Sequence, residues 1–564
     1  MNLSRSTQDM QILIDTATLK TKYHNVNLKN VDWLSNPYDH NSYIFILHSM
    51  DYLLDLSKYY KETKKEEVKI LIFQILKSFY KSIQNDLQNP WVFHDHATAM
   101  RASNISEIIE MEITTDINEI ALLRKILLID VKKLEQETFY SSFTNHGLDQ
   151  SISLYKASFF IDDKHYSRSI KNIATQRINA ELNFMFCEDG GHRENSPFYL
   201  VYGISQLQNA LRLGKKYEGE SSRLHFPIEK FAKILYNLSF FIQPNGFLPL
   251  IGDTTTFAPR NIISKELWGG GGLHNTTEYQ NFLYTITNGK EGLKTQKNEL
   301  FLKQTGYVIL KDNLKRNSQG LHFVFKCGFL SNYHRHDDDL HFTLFYDNEE
   351  WFVDGGLLEY EEKNKYRKYL RSHQNHNISF LQNAKAHRDL NLSKNTKIYN
   401  FQNTLSQCSF KGISYMFEGW ENCREILYDK KKSIFYFKDY IHRVTTQENQ
   451  EIPTNDFITH FLIPQDKKIS INKSKNQVII YGKNKIMYLV YKNFNGKIFI
   501  NFGKDNVVDG WLSRNIGKKE KAYSLYFTQT NKTQFEFKIF FKNKKSILKK
   551  LYRFISIITK FNLK

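Results

Sequence analysis

Residues able to carry chemistry are densest at positions 333–340, which read Tyr-His-Arg-His-Asp-Asp-Asp-Leu. His334 and His336 are two residues apart, and side chains at that spacing share one face of a β-strand. Farther along, Asp354 precedes two glycines and His376 lies within His-Gln-Asn-His-Asn. Two imidazoles and a carboxylate form a ligand set that suits Zn²⁺, so His336, Asp354 and His376 are candidate metal ligands. The alternative is a solvated polar loop.

A second group of polar and aromatic residues lies in the first 150 positions. Asn145 and His146 precede an apolar periodic run, and their amide and imidazole together are able to neutralise a carboxylate. The alternative is a helix N-cap, a position that favours Asn. Upstream, an indole suits the face of a sugar ring and a guanidinium suits a carboxylate, although a core aromatic and a surface salt bridge are the alternatives. The candidate substrate-binding residues here are Trp91, His94, His96 and Arg101.

A third polar segment, residues 188–199, is rich in ionisable groups and leads into a predicted helix. Pro197 is well tolerated in the first turn of such a helix. Tyr199 offers a phenol for acid–base chemistry, although in a chain with 33 Tyr simple packing is the alternative. Loops carry binding residues more often than cores do. The further candidate substrate-binding residues are Glu194, Asn195, Asp253 and Arg371.

The elements that position these residues differ between the two halves of the chain. From about residue 41 to residue 288, apolar residues recur at helical spacing, which predicts an all-α layer or toroid. After the glycine-rich segment 268–273, short β-rich runs separated by turns predict an antiparallel sandwich. The helical runs are 105–117, 120–135, 148–160, 169–184, 199–213 and 227–241, and the strand runs include 307–310, 321–325, 342–345 and 497–502.

The predicted fold class is therefore α+β and multidomain. An N-terminal (α/α) toroid occupies residues 1–295 and an antiparallel β-sandwich residues 296–540, followed by a basic amphipathic tail at 541–564. Nine Lys and Arg fall at positions 538–564, interleaved with Ile and Leu. That pattern suits weak contact with a membrane surface, or equally a packed terminal helix.

The overall charge points to anionic partners. The chain has 78 Lys and Arg against 59 Asp and Glu, a formal net charge of +19. Nucleic acid is not expected, because no recognition motif accompanies the charge. Four Cys are too few for a disulfide scaffold and lack metal-ligand spacing, which fits a reduced compartment. Neither a signal peptide nor a membrane span is visible, so we expect a cytoplasmic protein, or a periplasmic one if a leader has been removed.

Taken together, the order of five motifs resembles the heparinase II/III family of polysaccharide lyases. The motifs are His-Asp-His, Asn-His-Gly, Glu-Asn-Ser-Pro-x-Tyr, His-x-His-x-Asp and a later His-Asn, spread from about residue 36 to about residue 380. The family combines an (α/α) toroid with an antiparallel sandwich and cleaves uronate polysaccharides by β-elimination. The resemblance implies an anionic polysaccharide substrate, no organic cofactor, and a link to capsule or exopolysaccharide metabolism.

Roles for single residues follow from the same resemblance. Asn145 and His146 are implied to neutralise the uronate carboxylate, Tyr199 to be the general acid/base, and His334 to be a second base. The implied ligands of a structural Zn²⁺ are His336, Asp354 and His376. A phenol has an ordinary pKa of about 10. For Tyr199 to act as a base near neutral pH it needs neighbouring positive charge, for which Arg193 and His146 are available.

Three positions depart from the family pattern. Leu200 follows Tyr199 where members often carry His, Asp338 lies in an Asp triplet, and His341 stands where many members have a small polar residue. Two other functions remain open. One is a non-catalytic protein that binds or assembles polyanionic polysaccharide. The other is a glycoside hydrolase, which needs paired carboxylates and has Glu188, Asp189 and Glu194 available.

Overall fold

The computed structural model describes residues 5–21, 24–268, 272–312, 320–444 and 456–544. The predicted tail therefore lies outside the described residues beyond position 544, as do the glycines at 269–271. The chain divides into two compact units. Unit 1 comprises Met1–Met185 and Gly203–Phe226, and unit 2 comprises Phe186–Tyr202 and Pro227–Lys564. The domain boundary predicted at 295/296 stays a prediction.

Unit 1 is built mainly from amphipathic helices. Helix α4 shows why, because its buried residues recur every three or four positions: Val68, Leu71, Ile72, Ile75, Leu76, Phe79 and Ile83. The helices are α1 (Thr7–Thr16), α2 (Asn41–Ser49), α3 (Asp51–Thr63), α4 (Glu66–Ile83), α5 (Asp95–Glu110), α6 (Ile117–Leu134), α7 (Asn145–Ser158), α8 (Lys164–Met185) and the greater part of α9 (Pro197–Glu218). An N-terminal hairpin of β1 (Thr18–Lys20) and β2 (Asn25–Asn27) was not predicted.

One predicted helical run is wrong at its end. The run at 105–117 is not continuous, because α5 ends at Glu110 and α6 begins at Ile117. Glu112 adopts a positive φ of 49°, a conformation that ends a right-handed helix. The carboxylate of Asp116 then caps α6 by accepting hydrogen bonds from the N–H groups of Asn118 and Glu119, at 2.8 and 3.0 Å.

Unit 2 is rich in antiparallel strands, which are joined by a few helices. The helices are α10 (Ile228–Phe241), α11 (Lys265–Trp268), α12 (Thr277–Ile286) and α13 (Lys365–Arg371). The strands are β3 (Glu299–Leu302), β4 (Tyr307–Lys311), β5 (Leu321–Lys326), β6 (His341–Tyr346), β7 (Glu349–Phe352), β8 (Ser379–Leu381), β9 (Lys397–Asn403), β10 (Gln407–Ser414), β11 (Trp420–Asp429), β12 (Ile434–Arg443), β13 (Phe457–Pro464), β14 (Lys468–Asn472), β15 (Gln477–Tyr481), β16 (Lys485–Lys492), β17 (Lys497–Phe502), β18 (Trp511–Asn515), β19 (Lys518–Gln529) and β20 (Gln534–Asn543).

The strands of unit 2 form three sheets around one aromatic core. An eight-stranded sheet runs β14-β15-β16-β20-β12-β11-β10-β9, a second runs β17-β19-β13-β8 with β18 beside β19, and a third runs β3-β4-β5-β6-β7. Phe342, Phe437, Phe461 and Phe537 are buried between them, and the rings of Phe437 and Phe537 stack with centroids 4.5 Å apart. The predicted class, a helical N-terminal part followed by an antiparallel sandwich, is confirmed.

The four cysteines share one environment. Cys187, Cys327, Cys408 and Cys423 are buried and free, and all four belong to unit 2. Burial raises the pKa of Cys187, Cys408 and Cys423 to about 12, so these groups stay as thiols at neutral pH. Within the described parts of the chain, no helix is long and apolar enough to cross a membrane.

Candidate active site and metal centre

In unit 1, the start of α7 places Asn145 and His146. Thr144, and not Asn145, is the N-cap, because its hydroxyl accepts a hydrogen bond from the N–H of Gly147 at 3.0 Å. The alternative interpretation of Asn145 as a cap is therefore wrong. Asn145 is largely buried as the first helical residue, whereas the side chain of His146 is 38 % exposed.

Asp95, the first residue of α5, organises the imidazoles around it. Its carboxylate lies 3.1 Å from His146 Nδ1 and 3.3 Å from His94 Nδ1, and accepts a hydrogen bond from the Ser141 hydroxyl at 2.7 Å. Burial would raise the pKa of Asp95, but the hydrogen bond and charge of His146, together with Ser141, hold it well below its usual range. Asp95 is therefore ionised and favours a protonated His146.

Asp149 holds the remaining imidazole of this group. His96 Nε2 lies 3.0 Å from Asp149 Oδ2, and the rings of His96 and His146 stack with centroids 4.2 Å apart. Helices α5 and α7 thus bring together four predicted site residues, His94, His96, Asn145 and His146, beside two carboxylates that sequence reasoning missed. Asp149 lies one helical turn after Asn145, a spacing that would have suggested a shared face. Trp91, in the turn before α5, is partly exposed.

Arg101 does not fit its predicted contact with a substrate. Its guanidinium is fully buried and donates to both carboxylate oxygens of Asp130, at 2.6 and 3.0 Å. The remaining donors reach the carbonyl oxygens of His48 and Val92, at 3.0 and 3.1 Å. Because no face of the group opens to solvent, Arg101 is a structural ion pair, and we leave it out of the proposed substrate set.

In unit 2, Tyr199 and His334 lie in direct contact. Pro197 begins α9 as predicted, which places Tyr199 in its first turn. The rings of Tyr199 and His334 stack with centroids 3.4 Å apart and planes 16° from parallel. His334 and His336 do not share the face of a β-strand, since His334 lies in a turn with a positive φ of 53°. The phenol and the imidazole that the sequence proposed as acid and base are nevertheless adjacent.

A single buried carboxylate, Asp253, supports both histidines of the His-x-His motif. Asp253 Oδ2 lies 3.0 Å from His334 Nδ1, and Asp253 Oδ1 lies 2.8 Å from His336 Nε2. Arg367, on α13, donates to both oxygens, with Nη2 at 2.9 Å from Oδ2. Burial would raise the pKa of Asp253, but Arg367 and the two histidines hold it well below its usual range. The sequence predicted that Asp253 contacts a substrate. Because both of its carboxylate oxygens are occupied, Asp253 is instead a positioning residue for the two histidines.

This arrangement fixes the tautomer of each imidazole. An ionised carboxylate only accepts hydrogen bonds, so His334 carries its hydrogen on Nδ1 and His336 carries its hydrogen on Nε2. The Nε2 lone pair of His334 is therefore free to take a proton. The Nδ1 lone pair of His336 is free to bind a metal ion.

The surroundings of Tyr199 within unit 2 are acidic, contrary to the expectation of neighbouring positive charge. Burial raises the pKa of Tyr199 well above its ordinary value, and Tyr360, Asp253 and Glu194 raise it further. The two phenol oxygens of Tyr199 and Tyr360 lie 2.9 Å apart. Tyr199 is thus a protonated phenol, which suits donation of a proton. Sequence reasoning missed Tyr360, which no motif singled out.

Two predicted substrate-binding residues of unit 2, Asn195 and Arg371, occupy structural positions, and a third lies beside the predicted base. Asn195 Nδ2 donates to the carbonyl oxygens of Ser331 and Tyr333, each at 2.9 Å, and so holds the loop that carries His334. The guanidinium of Arg371 pairs with Glu362 at 2.5 Å and donates to a backbone carbonyl at 3.0 Å. The carboxylate of Glu194 lies 3.7 Å from His334 Nε2, beside the predicted base.

Three residues of unit 2 form a group that is able to hold a metal ion. One ligand atom from each of His336, Asp354 and His376 lies within 4.8 Å of the other two, and all three side chains are fully buried. His336 Nδ1, Asp354 Oδ2 and both ring nitrogens of His376 have no hydrogen-bond partner. Buried polar atoms are normally satisfied, so unsatisfied atoms on three side chains that approach one another this closely fit a bound cation.

His341 borders this group without fitting as a ligand. The N–H of Asn377 donates to His341 Nδ1 at 2.9 Å, and burial lowers the pKa of His341 to about 3, so the neutral ring carries its hydrogen on Nε2. That nitrogen lies 3.1 Å from Asp354 Oδ2. His341 Nε2 thus lies beside one oxygen of Asp354, and His376 Nδ1 lies 3.2 Å from the other.

Two models of known protein families match this chain. The model of the heparinase II/III N-terminus matches residues 3–267, and the model of the heparinase II/III-like C-terminal domain matches residues 294–544. The chain belongs to the heparinase II/III family. As a family member it is a polysaccharide lyase, with a polysaccharide as its substrate. A search of curated proteins found no match.

Solved structures with heparinase names share the fold. A crystal structure of heparinase III has a TM-score of 0.76 at 15 % identity, covering 96 % of this chain and 86 % of that one. A mutant heparan sulfate lyase HepC from Pedobacter heparinus has a TM-score of 0.67 at 17 % identity, covering 96 % of this chain and 84 % of that one. At these identities the likeness establishes the fold alone.

The departures of this chain from the heparinase II/III pattern have structural explanations. The Asp triplet is buried and paired: Asp337 with Arg388 at 2.7 Å, Asp338 with Lys326 at 2.5 Å and Asp339 with Arg335 at 3.0 Å. The alternative of a solvated acidic loop is therefore wrong. Leu200 is buried as a core residue of α9.

Proposed function

We propose that this heparinase II/III family member cleaves a uronate-containing anionic polysaccharide by β-elimination. The observation that carries the proposal is the stacked pair of Tyr199 and His334, with His334 Nδ1 held by the ionised Asp253. The pair supplies a protonated phenol and an imidazole with a free lone pair. These are the acid and the base that the reaction needs.

The proposed step keeps atoms and electrons in balance. His334 Nε2 takes the proton from C5 of the uronate, the C4–O4 bond breaks, and the electron pair forms a C4=C5 double bond. Tyr199 gives its proton to the departing O4, and the high pKa of the phenol means that this proton is present at neutral pH. No water enters, so the products are a new reducing-end chain and an unsaturated uronate.

A carboxylate neutralised by donors makes the neighbouring C–H bond more acidic, because the charge that develops on it is stabilised. We assign the donors for a carboxylate of the polymer to Asn145 and His146, as the sequence predicted. The ionised Asp95 at 3.1 Å from His146 Nδ1 favours the charged imidazole that such a role requires.

We propose Zn²⁺ as the ion held by His336, Asp354 and His376. A set of two nitrogens and one carboxylate oxygen suits zinc, and Asp253 accepts the Nε2 hydrogen of His336, the kind of outer hydrogen bond that orients such a ligand. Bound zinc would fix the loop of His336 to the segments that follow β7 and α13. Its role is structural, because the residues assigned to proton transfer are Tyr199 and His334.

A glycoside hydrolase is disfavoured by the position of Asp189. Its carboxylate accepts hydrogen bonds from the N–H groups of Gly191, Gln304 and Thr305, at 3.0, 2.8 and 2.9 Å. These bonds shape a turn and occupy both Asp189 oxygens, so Asp189 is unsuited to serve as one of the two catalytic carboxylates.

The first experiment follows the ultraviolet absorbance of unsaturated uronates. Heparan sulfate is tested first, because one similar structure is a heparan sulfate lyase, followed by other uronate polymers and by capsule or exopolysaccharide from the source of the chain. An absorbance increase that Tyr199→Phe abolishes supports the proposal. Reducing ends appearing without absorbance would indicate hydrolysis instead, and no cleavage of any polymer would contradict the proposed lyase activity.

A further inference from the structure

The eight-stranded sheet of unit 2 carries a cleft of about 600 Å³ on its outer face. The inner face of the same strands packs into the aromatic core through residues such as Phe410, Phe437 and Phe537. Because side chains alternate between the faces of a strand, the residues between these positions point outward. The cleft is lined by four lysines and two glutamates, an excess of two positive charges.

The lysines of the cleft are regularly placed. Strand register puts Lys411, Glu425, Lys438, Glu536 and Lys492 in one row across β10, β11, β12, β20 and β16. Neighbouring strands are about 4.8 Å apart, so the lysines of this row recur about every 10 Å. A polymer with regularly spaced anionic groups would meet a cation at each interval.

The ammonium groups of the cleft are available to a ligand. Among the described residues, no carboxylate forms an ion pair with Lys411, Lys438, Lys492 or Lys538. Glu425 instead accepts a hydrogen bond from the Tyr440 hydroxyl at 2.8 Å. Lys411 and Lys438 instead lie over the ring of Tyr440, 5.3 and 5.4 Å from its centroid, which leaves their charge uncompensated by a carboxylate.

The other lining groups suit a sugar chain. Tyr436 lies opposite Lys538 in the register and offers a half-buried ring, which suits the face of a sugar. Asn400, Gln402 and Ser409 add amide and hydroxyl groups along one edge, which suit the hydroxyl groups of a sugar. Cations, a phenol ring and neutral polar groups together match a charged carbohydrate.

We propose that this cleft binds a segment of an anionic polysaccharide, at a site separate from the residues around Tyr199 and His334. The ligand class rests on the proposed function, and the site itself rests on the charge and shape of the sheet. The cleft would hold a long polymer to the enzyme between cleavage events, so it would matter for long chains and not for short ones.

The test uses the full chain with Tyr199→Phe, so that the probe is not cut, and heparan sulfate as the probe. The cleft variant carries Lys411→Gln, Lys438→Gln, Lys492→Gln and Lys538→Gln. A matched control removes the same charge from exposed lysines elsewhere in unit 2, by Lys294→Gln, Lys297→Gln, Lys303→Gln and Lys518→Gln. Titration calorimetry gives the Kd of each, and a thermal melt verifies the fold.

We expect the Kd of the cleft variant to rise about tenfold, since four exposed ion pairs contribute a few tenths of a kcal/mol each, and that of the control to change less than twofold. An equal change in both variants, or no change in either, would overturn the proposal. If the protein bound single-stranded DNA as tightly as heparan sulfate, and the cleft variant lost that binding as well, the assignment to polysaccharide would be overturned. If the fourfold variant does not fold, Lys492→Gln with Lys538→Gln makes the same test.

An activity measurement separates this proposal from the proposed function. With Tyr199 intact, the cleft variant should show a raised KM for the polymer and an unchanged kcat and KM for a tetrasaccharide. A chain that binds heparan sulfate through the cleft but cleaves nothing would uphold the cleft and reject the lyase mechanism. A chain that cleaves the polymer equally well with and without the four lysines would reject the cleft alone.

Discussion

The two units use the same residue types, histidine and aspartate, in opposite ways. In unit 1, Asp95 and Asp149 hold imidazoles at the starts of two helices, and His146 remains 38 % exposed. In unit 2, one carboxylate, Asp253, is shared by two histidines and an arginine, and is almost completely buried. The first arrangement presents charge to a ligand, whereas the second fixes where each hydrogen lies. The predictions below test this difference.

The largest effect is expected for Tyr199→Phe. Removing the phenol hydroxyl leaves the ring stacked on His334 but takes away the proton donor, so kcat should fall about 10²- to 10⁴-fold. The measurement is the rate of absorbance increase with the best polymer, and the melting temperature serves as the control for folding. A variant that keeps a tenth of the activity or more would remove Tyr199 from the mechanism.

Asp253→Asn should reduce kcat about 10- to 100-fold with little change in KM, because the amide no longer fixes the tautomer of His334. Leaving Arg367 without its buried partner should also lower the free energy of unfolding by about 3–5 kcal/mol. A raised KM with unchanged kcat would instead indicate that Asp253 contacts the substrate.

The loss of stability expected for Asp253→Asn depends on pH, in a direction set by the pKa of Asp253. The pKa of Asp253 is depressed in the folded chain, so its stabilisation is present above the ordinary carboxyl pKa of about 3.9 and is lost as the pH falls toward the lower folded value. The difference in unfolding free energy between wild type and Asp253→Asn should therefore shrink below about pH 4. A constant difference would contradict the assigned ionised state.

Removing the bound metal ion should have a larger effect on the stability of the folded chain than on kcat. We expect about one equivalent of zinc per chain, and a chelator or His376→Ala should reduce the melting temperature by several degrees, because the ion binds the folded chain alone. His442→Ala is the matched control. It belongs to a second, partly exposed group with Glu421 and Cys423, and should leave the zinc content unchanged. If both variants lost zinc equally, the assignment of the metal to His336, Asp354 and His376 would be withdrawn.

His146→Gln tests the exposed arrangement and should have the smallest effect. Because the contact of His146 with the substrate carboxylate strengthens as charge develops on that carboxylate, its loss should lower kcat about tenfold, while the unfolding free energy stays within about 0.5 kcal/mol of wild type, since the side chain is partly exposed. His225→Gln, at an exposed histidine of the same unit, should change neither quantity. A large loss of stability would give His146 a structural role.

Local patterns in the sequence predicted the elements of this fold well. The helical spacing of α4 and the β-rich run of β17 are properties of neighbouring residues, and both appear as expected. The shared strand face that the spacing of His334 and His336 suggested does not form, because His334 takes a positive φ value, which residue spacing does not reveal. The contacts of Asp253 lie 81, 83 and 114 residues away, so no spacing rule identifies it as the support of both histidines.

The distribution of the thiols gives the molecule a built-in reporter of unfolding. All four cysteines lie in unit 2, are buried, and resist ionisation, whereas unit 1 has none. A thiol-reactive dye added during a denaturant titration would therefore label the chain when unit 2 unfolds. The dye would not report the unfolding of unit 1. Trp33 and Trp91 belong to unit 1, so tryptophan fluorescence recorded in parallel would include the unit that the dye does not detect. The order in which the two signals change would show whether the units unfold together.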